Sequence, residues 1–285
     1  MTDYKASKRI VGTSAERTAL SPTKALSNTG VSTSNLKAYY NFNESSGNIT
    51  NQQTTGDGLG SAADITISGA TYSQTGKVGN ALSFDGSDDY GELGSSTSQW
   101  NFIHGTGDWT INFWVNHTSF TSEDRYFSNM DSTETKGINM YQSTTSLGLA
   151  LKSGSGWMHN GNLAYNQTLS TGTWYMITVT CDYSLSSANY TVYVNGTAQG
   201  TGNRATTGST GDTEYSLKAM CRGNAADKFA HGLLDEVSLW DRLLTTSEIS
   251  TIYKADPNLQ ANSIFEETDT GKHYIWSGSA WTEIV

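Results

Sequence analysis

From residue 36 onward the chain alternates apolar and polar positions in short runs separated by turn residues, the period-two signature of half-buried strands. "LKAYYNF", "ALSFDGSDDYGEL", "WTINFWVNH", "KGINMY", "SLGLAL", "WYMITVTCDY", "NYTVYVNGTAQG" and "LLDEVSLW" follow one another in this way. "WTINFWVNH" puts Ile111, Phe113 and Val115 on one face and Trp114 on the other. Asp85-Gly86 predicts a turn between two strands, and Asn195-Gly196 is the dipeptide favoured in a type I′ hairpin. A single helix is predicted, over "TTSEISTIYKADP". Thr245 and Glu248 form a capping box, Ile249, Ile252 and Tyr253 give an apolar stripe, and Pro257 lies just beyond. It is long enough only to lie as a lid on a sheet.

"LLDEVSLW" poses a question. Strict alternation groups Leu233, Asp235, Val237 and Leu239 on one face, and three aliphatic members make that the predicted core face. A buried carboxylate is costly unless paired, hydrogen-bonded or bound to metal. Three readings stay open: Asp235 accepts backbone N–H bonds, it ligates a cation, or the face is reversed and it meets solvent.

The chain ends differ from the middle. Residues 1–34 are rich in Ser, Thr and Ala with little periodicity, which predicts a flexible arm that a neighbouring subunit would have to hold. Residues 35–256 form the sandwich domain. Residues 262–285 hold "SIFEE", "KHYIW" and "WTEIV" between "TDTG" and "SGS" turns, a small β-hairpin module that needs a neighbour to complete its core.

Composition agrees with an all-β class. There are 29 Gly but 2 Pro, 15 Tyr and 8 Trp, and only 15% charged residues. A formal charge of -10 removes the Lys/Arg stripe that nucleic acid requires. No apolar window is long enough for membrane insertion, and "MTDYKASKRIVGTSAER" lacks the apolar core of a cleaved signal peptide. An extracellular site of action then needs another exit, such as release in a virus particle. Cys181 and Cys221 are either buried thiols or one disulfide.

The segments "AYYNFNESSGN", "GKVGNALSFDGSDDYGEL", "DWTINFWV", "WYMITVTCDY…YTVYVNG" and "GLLDEVSLWDRLLTTSEISTIY" occur in order, and together they resemble the concanavalin A-like jelly roll of laminin-G type. The resemblance spans about residues 36–254 and implies an antiparallel two-sheet sandwich. That scaffold serves lectins, adhesion modules, pentraxin-like proteins and glycosidases alike. It also implies a structural Ca²⁺ held by Asp235 with Asp85 and Asp89, near Asp88 and Asp57. The family's early-loop aspartate is replaced here by Asn51, so the ligand set is incomplete. "FEETDTGKHYIWSGSAWTEI" is similar to short β modules that end phage and archaeal-virus structural proteins, and "KRIVGTSAERTAL" resembles their openings.

No E-x-D-x-x-E string, zinc-ligand spacing of histidines or G-x-S-x-G elbow occurs, so no reaction is expected. A binding surface is expected instead, because sugar sites pair an exposed aromatic with a few polar groups. The candidates are Trp157, His159 and Asn160 in the Gly/Ser-rich "KSGSGWMHNGN", and Trp100 in "SQWNFIHG". Against this, Trp157 and Trp100 would equally serve to cover a sandwich edge or a subunit interface. Trp109, Trp114, Trp174 and Trp240 lie within strands and are expected to be structural. The expected protein is a non-enzymatic virion surface component, a head decoration or tail appendage. Its lectin-like domain meets a cell-surface glycan, and its partners are other virion subunits or copies of itself. The alternative is a cellular carbohydrate-binding module with no assembly role.

Overall fold

The structure, a computed structural model, describes residues 9–14, 17, 26, 29–121, 123–130, 132–225, 227–254, 264–276 and 281–284. The first strands are β1 (Arg9–Gly12), β2 (Leu36–Tyr40), β3 (Ile65–Ser68), β4 (Thr71–Thr75), β5 (Asn80–Asp85), β6 (Tyr90–Leu93) and β7 (Trp109–His117). Then come β8 (Arg125–Ser128), β9 (Gly137–Gln142), β10 (Ser146–Ser153), β11 (Gly156–Ala164), β12 (Trp174–Cys181) and β13 (Tyr190–Val194). The series ends with β14 (Thr197–Gly202), β15 (Lys218–Ala219), β16 (His231–Trp240), helix α1 (Thr246–Lys254), β17 (Ile264–Glu267), β18 (His273–Trp276) and β19 (Trp281–Ile284).

Two antiparallel sheets stack. One has the order β14-β13-β12-β7-β16-β5-β4, with β2 also paired to β16; the other runs β11-β10-β9-β8-β15-β6-β3. Ile111, Phe113 and Val115 enter the shared core as their alternation predicts, while Trp114 packs on the opposite side. Phe113 meets Tyr126 and Phe127 of the facing sheet edge-on, at 4.8 and 5.1 Å between ring centres. Asn195 and Gly196 both take positive φ, 51° and 75°, and turn β13 into β14. The Asp85-Gly86 turn does more than join two strands: β5 lies in one sheet and β6 in the other, so it carries the chain across the sandwich. The thiols of Cys181 and Cys221 are free and buried, each pushed up to about 12 by burial, and they do not pair.

The outer face of the eight-stranded sheet carries a second apolar layer. Leu36, Tyr39, Trp114, Met176 and Trp240 are covered there by Leu26, Leu244, Ile249 and Ile252. The capping box forms: Thr245 Oγ1 accepts from Glu248 N at 3.2 Å, and Glu248 Oε2 accepts from Thr245 N at 2.9 Å. Pro257 lies outside the described residues.

The predicted face of Asp235 is corrected here. Leu234, not Leu233, enters the core, and a register shift between Asp235 and Ser238 returns Val237 and Leu239 to it. Glu236, at φ 50°, sits in that bulge. Asp235 pairs with Trp114 and so belongs to the outer face, yet it is fully buried. Its Oδ2 accepts from Val78 N at 2.9 Å and its Oδ1 from Glu236 N at 2.8 Å, with a further bond from the Lys77 backbone. The Tyr39 hydroxyl donates to Glu236 Oε2 at 2.7 Å and accepts from Leu26 N at 3.1 Å.

The expected arm and terminal module turn out to complete each other. β1 pairs parallel with β17, and β17, β18 and β19 follow antiparallel. Arg17 Nε lies 2.5 Å from Glu267 Oε1, and its guanidinium sits 3.8 Å over the Tyr274 ring. Ser14 donates to both oxygens of Asp269, at 2.9 and 2.6 Å. The neighbour that the terminal module was expected to pack on includes the chain's own N-terminal segment. Phe265 is buried against Trp281. The rest of the arm before residue 29, apart from Leu26, lies outside the described residues, as do the 277–280 turn and the Trp276 side chain.

Burial raises both acids of the bulge. Glu236 reaches about 7, with desolvation only partly offset by the Tyr39 hydroxyl; Asp235 is raised by burial and by its neighbour's charge. A carboxyl raised in the folded state favours folding while it is neutral, and that contribution fades as pH climbs through its folded pKa. For Glu236 the window runs from 4.5 to about 7, worth about 3 kcal/mol. Melting temperature is therefore expected to fall between pH 5 and pH 8, and Glu236→Gln is expected to flatten that fall. Identical slopes for the two proteins would contradict the assignment.

Candidate functional site

The outer face of the seven-stranded sheet is exposed at Asn160, Asn162 and Thr66 on its edge strands and buried across its middle, at Ala150, Asn139 and Ser128; strand register decides what stands on it. Because cross-strand partners share a face, Asn160, Ala150, Asn139, Ser128, Lys218, Glu92 and Thr66 form one row across it. The next row holds Asn162, Gly148, Tyr141 and Arg125. Tyr141 leans over Gly148 so closely that a Cβ there would lie 2.0 Å from its ring. Arg125 carries its guanidinium 4.7 Å from the same ring. The tyrosine is thus fixed by an absent side chain on one neighbour and a cation on the other.

Tyr141 forms one wall of an open groove of ≈ 340 Å³. Phe120, Thr121 and Glu123 line it together with Gln142, Ser143, Thr144, Ser146 and Asn162. Phe120 rests on the His117 ring at 4.2 Å, and His117 Nε2 shares a hydrogen bond with Tyr126 at 2.8 Å. Burial lowers His117 to about 4, so it props the groove as a neutral ring at physiological pH. Glu123 is ion-paired with Lys228 at 2.9 Å, which holds its carboxyl below the usual range. An aromatic ring framed by hydroxyl and amide groups suits a polyol with one apolar face.

The residues singled out from sequence divide. "KSGSGWMHNGN" is not a loop: Ser153 and Gly156 pair across a two-residue turn, and Trp157 onward is strand β11. The pleat puts half-buried Trp157 and exposed Asn160 on the outer face, with Lys152 4.9 Å from the indole. His159 pairs with Leu151, a core residue, and turns inward. Its Nδ1 meets Asn203 O at 3.0 Å and its ring lies 5.2 Å from Tyr190, so it closes the sandwich edge. Trp100 is corrected from binding surface to core. It is 2% exposed, donates from Nε1 to Leu93 O at 2.8 Å, and precedes the 3₁₀ turn Asn101–His104. Tyr141, Phe120 and Asn162 escape sequence reasoning, because their convergence depends on a register that a single strand's pattern does not contain.

The proposed metal ligands do not meet as one set. Asp235 is fully buried, and both its oxygens accept backbone N–H bonds. It also lies four residues along β16 from His231, the partner of Asp85, or about 13 Å. Asp85, Asp88 and Asp89 do approach within 4.8 Å of one another. Within that turn Asp89 Oδ2 accepts from Asp85 N at 2.9 Å, and Asp85 Oδ1 accepts from Ser87 N at 2.8 Å. Calcium takes six to eight oxygens, so water would have to complete any site there.

A family model described as the concanavalin A-like lectin/glucanases superfamily matches residues 85–250. That is more than half of the chain, and the chain belongs to this superfamily. Its fold is that of lectins and glucanases, shared by catalytic and purely binding domains. Comparison with curated protein sequences returns no match. Among solved structures, domain 4 of an extracellular arabinanase from Geobacillus stearothermophilus, in complex with arabinotriose, is 20% identical with a TM-score of 0.55. The alignment covers 77% of this chain and 98% of that one. The binding domain of Paraclostridial Mosquitocidal Protein 1 is 15% identical at a TM-score of 0.59, over 88% and 67%. Trypanosoma rangeli sialidase is 15% identical at 0.55; the chain covers 33% of its length. Likeness at these identities shows the fold alone.

Trp100→Ala is expected to destabilise by about 3–5 kcal/mol, the usual cost of emptying an aromatic site in a core. Trp157→Ala should lower the melting temperature far less; equal losses would return Trp157 to the core. Because the Asp85 turn and Asp235 are held by their own hydrogen bonds, EDTA is expected to leave the melting temperature unchanged. A drop that Ca²⁺ restores would place a structural ion at Asp85, Asp88 and Asp89.

Proposed function

We propose that the protein is a non-enzymatic, lectin-like attachment module that holds a glycan in the groove beside Tyr141. The observation that carries this reading is the fixed tyrosine ring set among Asn162, Ser146, Thr144 and Gln142 in an open groove. Two further facts support a binding role without chemistry. The adjacent carboxyls Asp235 and Glu236 lie in the other sheet, beneath the second apolar layer, where the cavity beside Glu236 measures ≈ 10 Å³, no larger than a water. Among the described residues lining the groove, Glu123 is the one carboxylate, whereas a retaining glycosidase needs two about 5 Å apart.

The reading extends to a virion surface, as a head decoration or tail appendage. In it the terminal sheet docks on other virion subunits or on copies of this chain, and the sandwich faces outward. Its support is the similarity of both chain ends to segments of phage and archaeal-virus structural proteins, and the joining of those ends into one sheet. Repeated weak sites on one particle would bind strongly through effective concentration. The likeness to an arabinanase domain solved with arabinotriose favours a second reading, a cellular carbohydrate-binding module.

A glycan array probed with multimerised protein tests the groove. Tyr141→Ala is expected to weaken binding about tenfold or more, roughly 1.4 kcal/mol, with an unchanged melting temperature. An unaltered array profile would move the site elsewhere. Antibody labelling of purified particles under the electron microscope separates the two settings: label on particles supports the virion, and label confined to cells supports the module.

A further inference from the structure

We infer that the groove selects neutral glycans and excludes sialylated, uronic-acid-bearing and sulfated ones; this rests on the glycan-binding reading above. The basis is how the cations on this face are engaged. Recognition of a carboxylate or sulfate on a sugar calls for a guanidinium or ammonium with free donors aimed at the ligand. Among the described residues no lysine or arginine lines the groove, and the two that touch its lining are themselves engaged. Arg125 is 4% exposed, donates from Nη1 to Glu123 O at 2.6 Å and lies against the Tyr141 ring. Lys228 is paired with Glu123 at 2.9 Å.

What remains for a ligand is hydroxyl and amide: Thr121, Ser143, Thr144, Ser146 and Asn162, around one aromatic ring. Such groups pair with sugar hydroxyls, which both donate and accept. An acidic sugar entering here would bring its charge beside Glu123 and meet no cation among the described residues that line the groove, on a chain whose formal charge is -10. Discrimination of this kind comes from the unpaired charge in the wrong complex as much as from contacts in the right one. Glu123 is therefore the specificity residue. Its carboxylate both occupies Lys228 and repels acidic ligands.

The test is titration calorimetry of the whole chain against matched oligosaccharides, one set neutral and one carrying sialic acid, uronic acid or sulfate on the same core. Neutral ligands are expected to bind at least about tenfold more tightly, with little change between low and high salt, because no ion pair forms. Glu123→Gln frees Lys228 on the surface and is expected to narrow that ratio by improving acidic ligands alone. Gly148→Ala pushes the Tyr141 ring from its seat and is expected to weaken neutral ligands about tenfold. Acidic glycans bound as well as neutral ones, or a ratio unmoved by Glu123→Gln, would overturn the neutral-sugar inference and leave glycan binding standing. Failure of every glycan to bind would overturn the attachment reading and this inference together.

Discussion

The constraint on which the molecule depends is that two antiparallel sheets have four faces and only two can bury each other. The inner faces meet through Phe113, Phe127, Leu149 and Leu234, forming an apolar core. The outer face of the eight-stranded sheet is taken by α1 and Leu26, which bury Trp114 and Trp240. The fourth face, that of the seven-stranded sheet, is buried in its middle at Ser128, Asn139 and Ala150 and open to a partner toward β11, with Tyr141, Asn160, Asn162 and half-buried Trp157 on the open part. The location of the candidate site thus follows from what the other three faces are doing.

A single strand has to serve two of those faces. β16 gives Leu234, Val237 and Leu239 to the inner core and Trp240 to the outer layer, and period two does not allow that set without an extra residue. The bulge at Glu236 supplies it. A bulge leaves backbone groups unpaired, and Asp235 accepts the N–H groups of Val78, Glu236 and Lys77. A buried amide left without an acceptor costs about 1–3 kcal/mol, so the carboxylate that looks misplaced among aliphatic residues is what makes the bulge tolerable. Gly76 belongs to the same arrangement, since a Cβ there would lie 2.8 Å from Asp235 Oδ2.

Much of this is legible in the amino-acid sequence itself. The faces of β7, the Asn195-Gly196 turn, the Thr245–Glu248 cap and the order of segments along the sandwich all rest on local rules, and local rules act within a few residues. What escapes them depends on distance. Alternation puts Asp235 on the wrong face because a bulge leaves no mark in it. β1 reads as part of a loose arm because its partner, β17, lies some 250 residues away. Trp157 reads as a loop residue because Gly154 and Ser155 make only a two-residue turn and strand resumes at once. Trp100 reads as exposed because nothing in "SQWNFIHG" announces that Leu93 O waits for its indole. Tyr141 carries no local signal because Gly148, which makes room for its ring, belongs to the next strand.

The claim that recognition belongs to the open part of the seven-stranded sheet's outer face is most directly met by amide chemical-shift mapping of the full chain during titration with a bound glycan. Perturbations are expected to cluster at residues 120–123, at Tyr141 to Ser146, and at Asn162, with α1 and β17 to β19 silent. Shifts centred on α1, on β16 or on the terminal sheet, with Tyr141 and Asn162 unmoved, would contradict it.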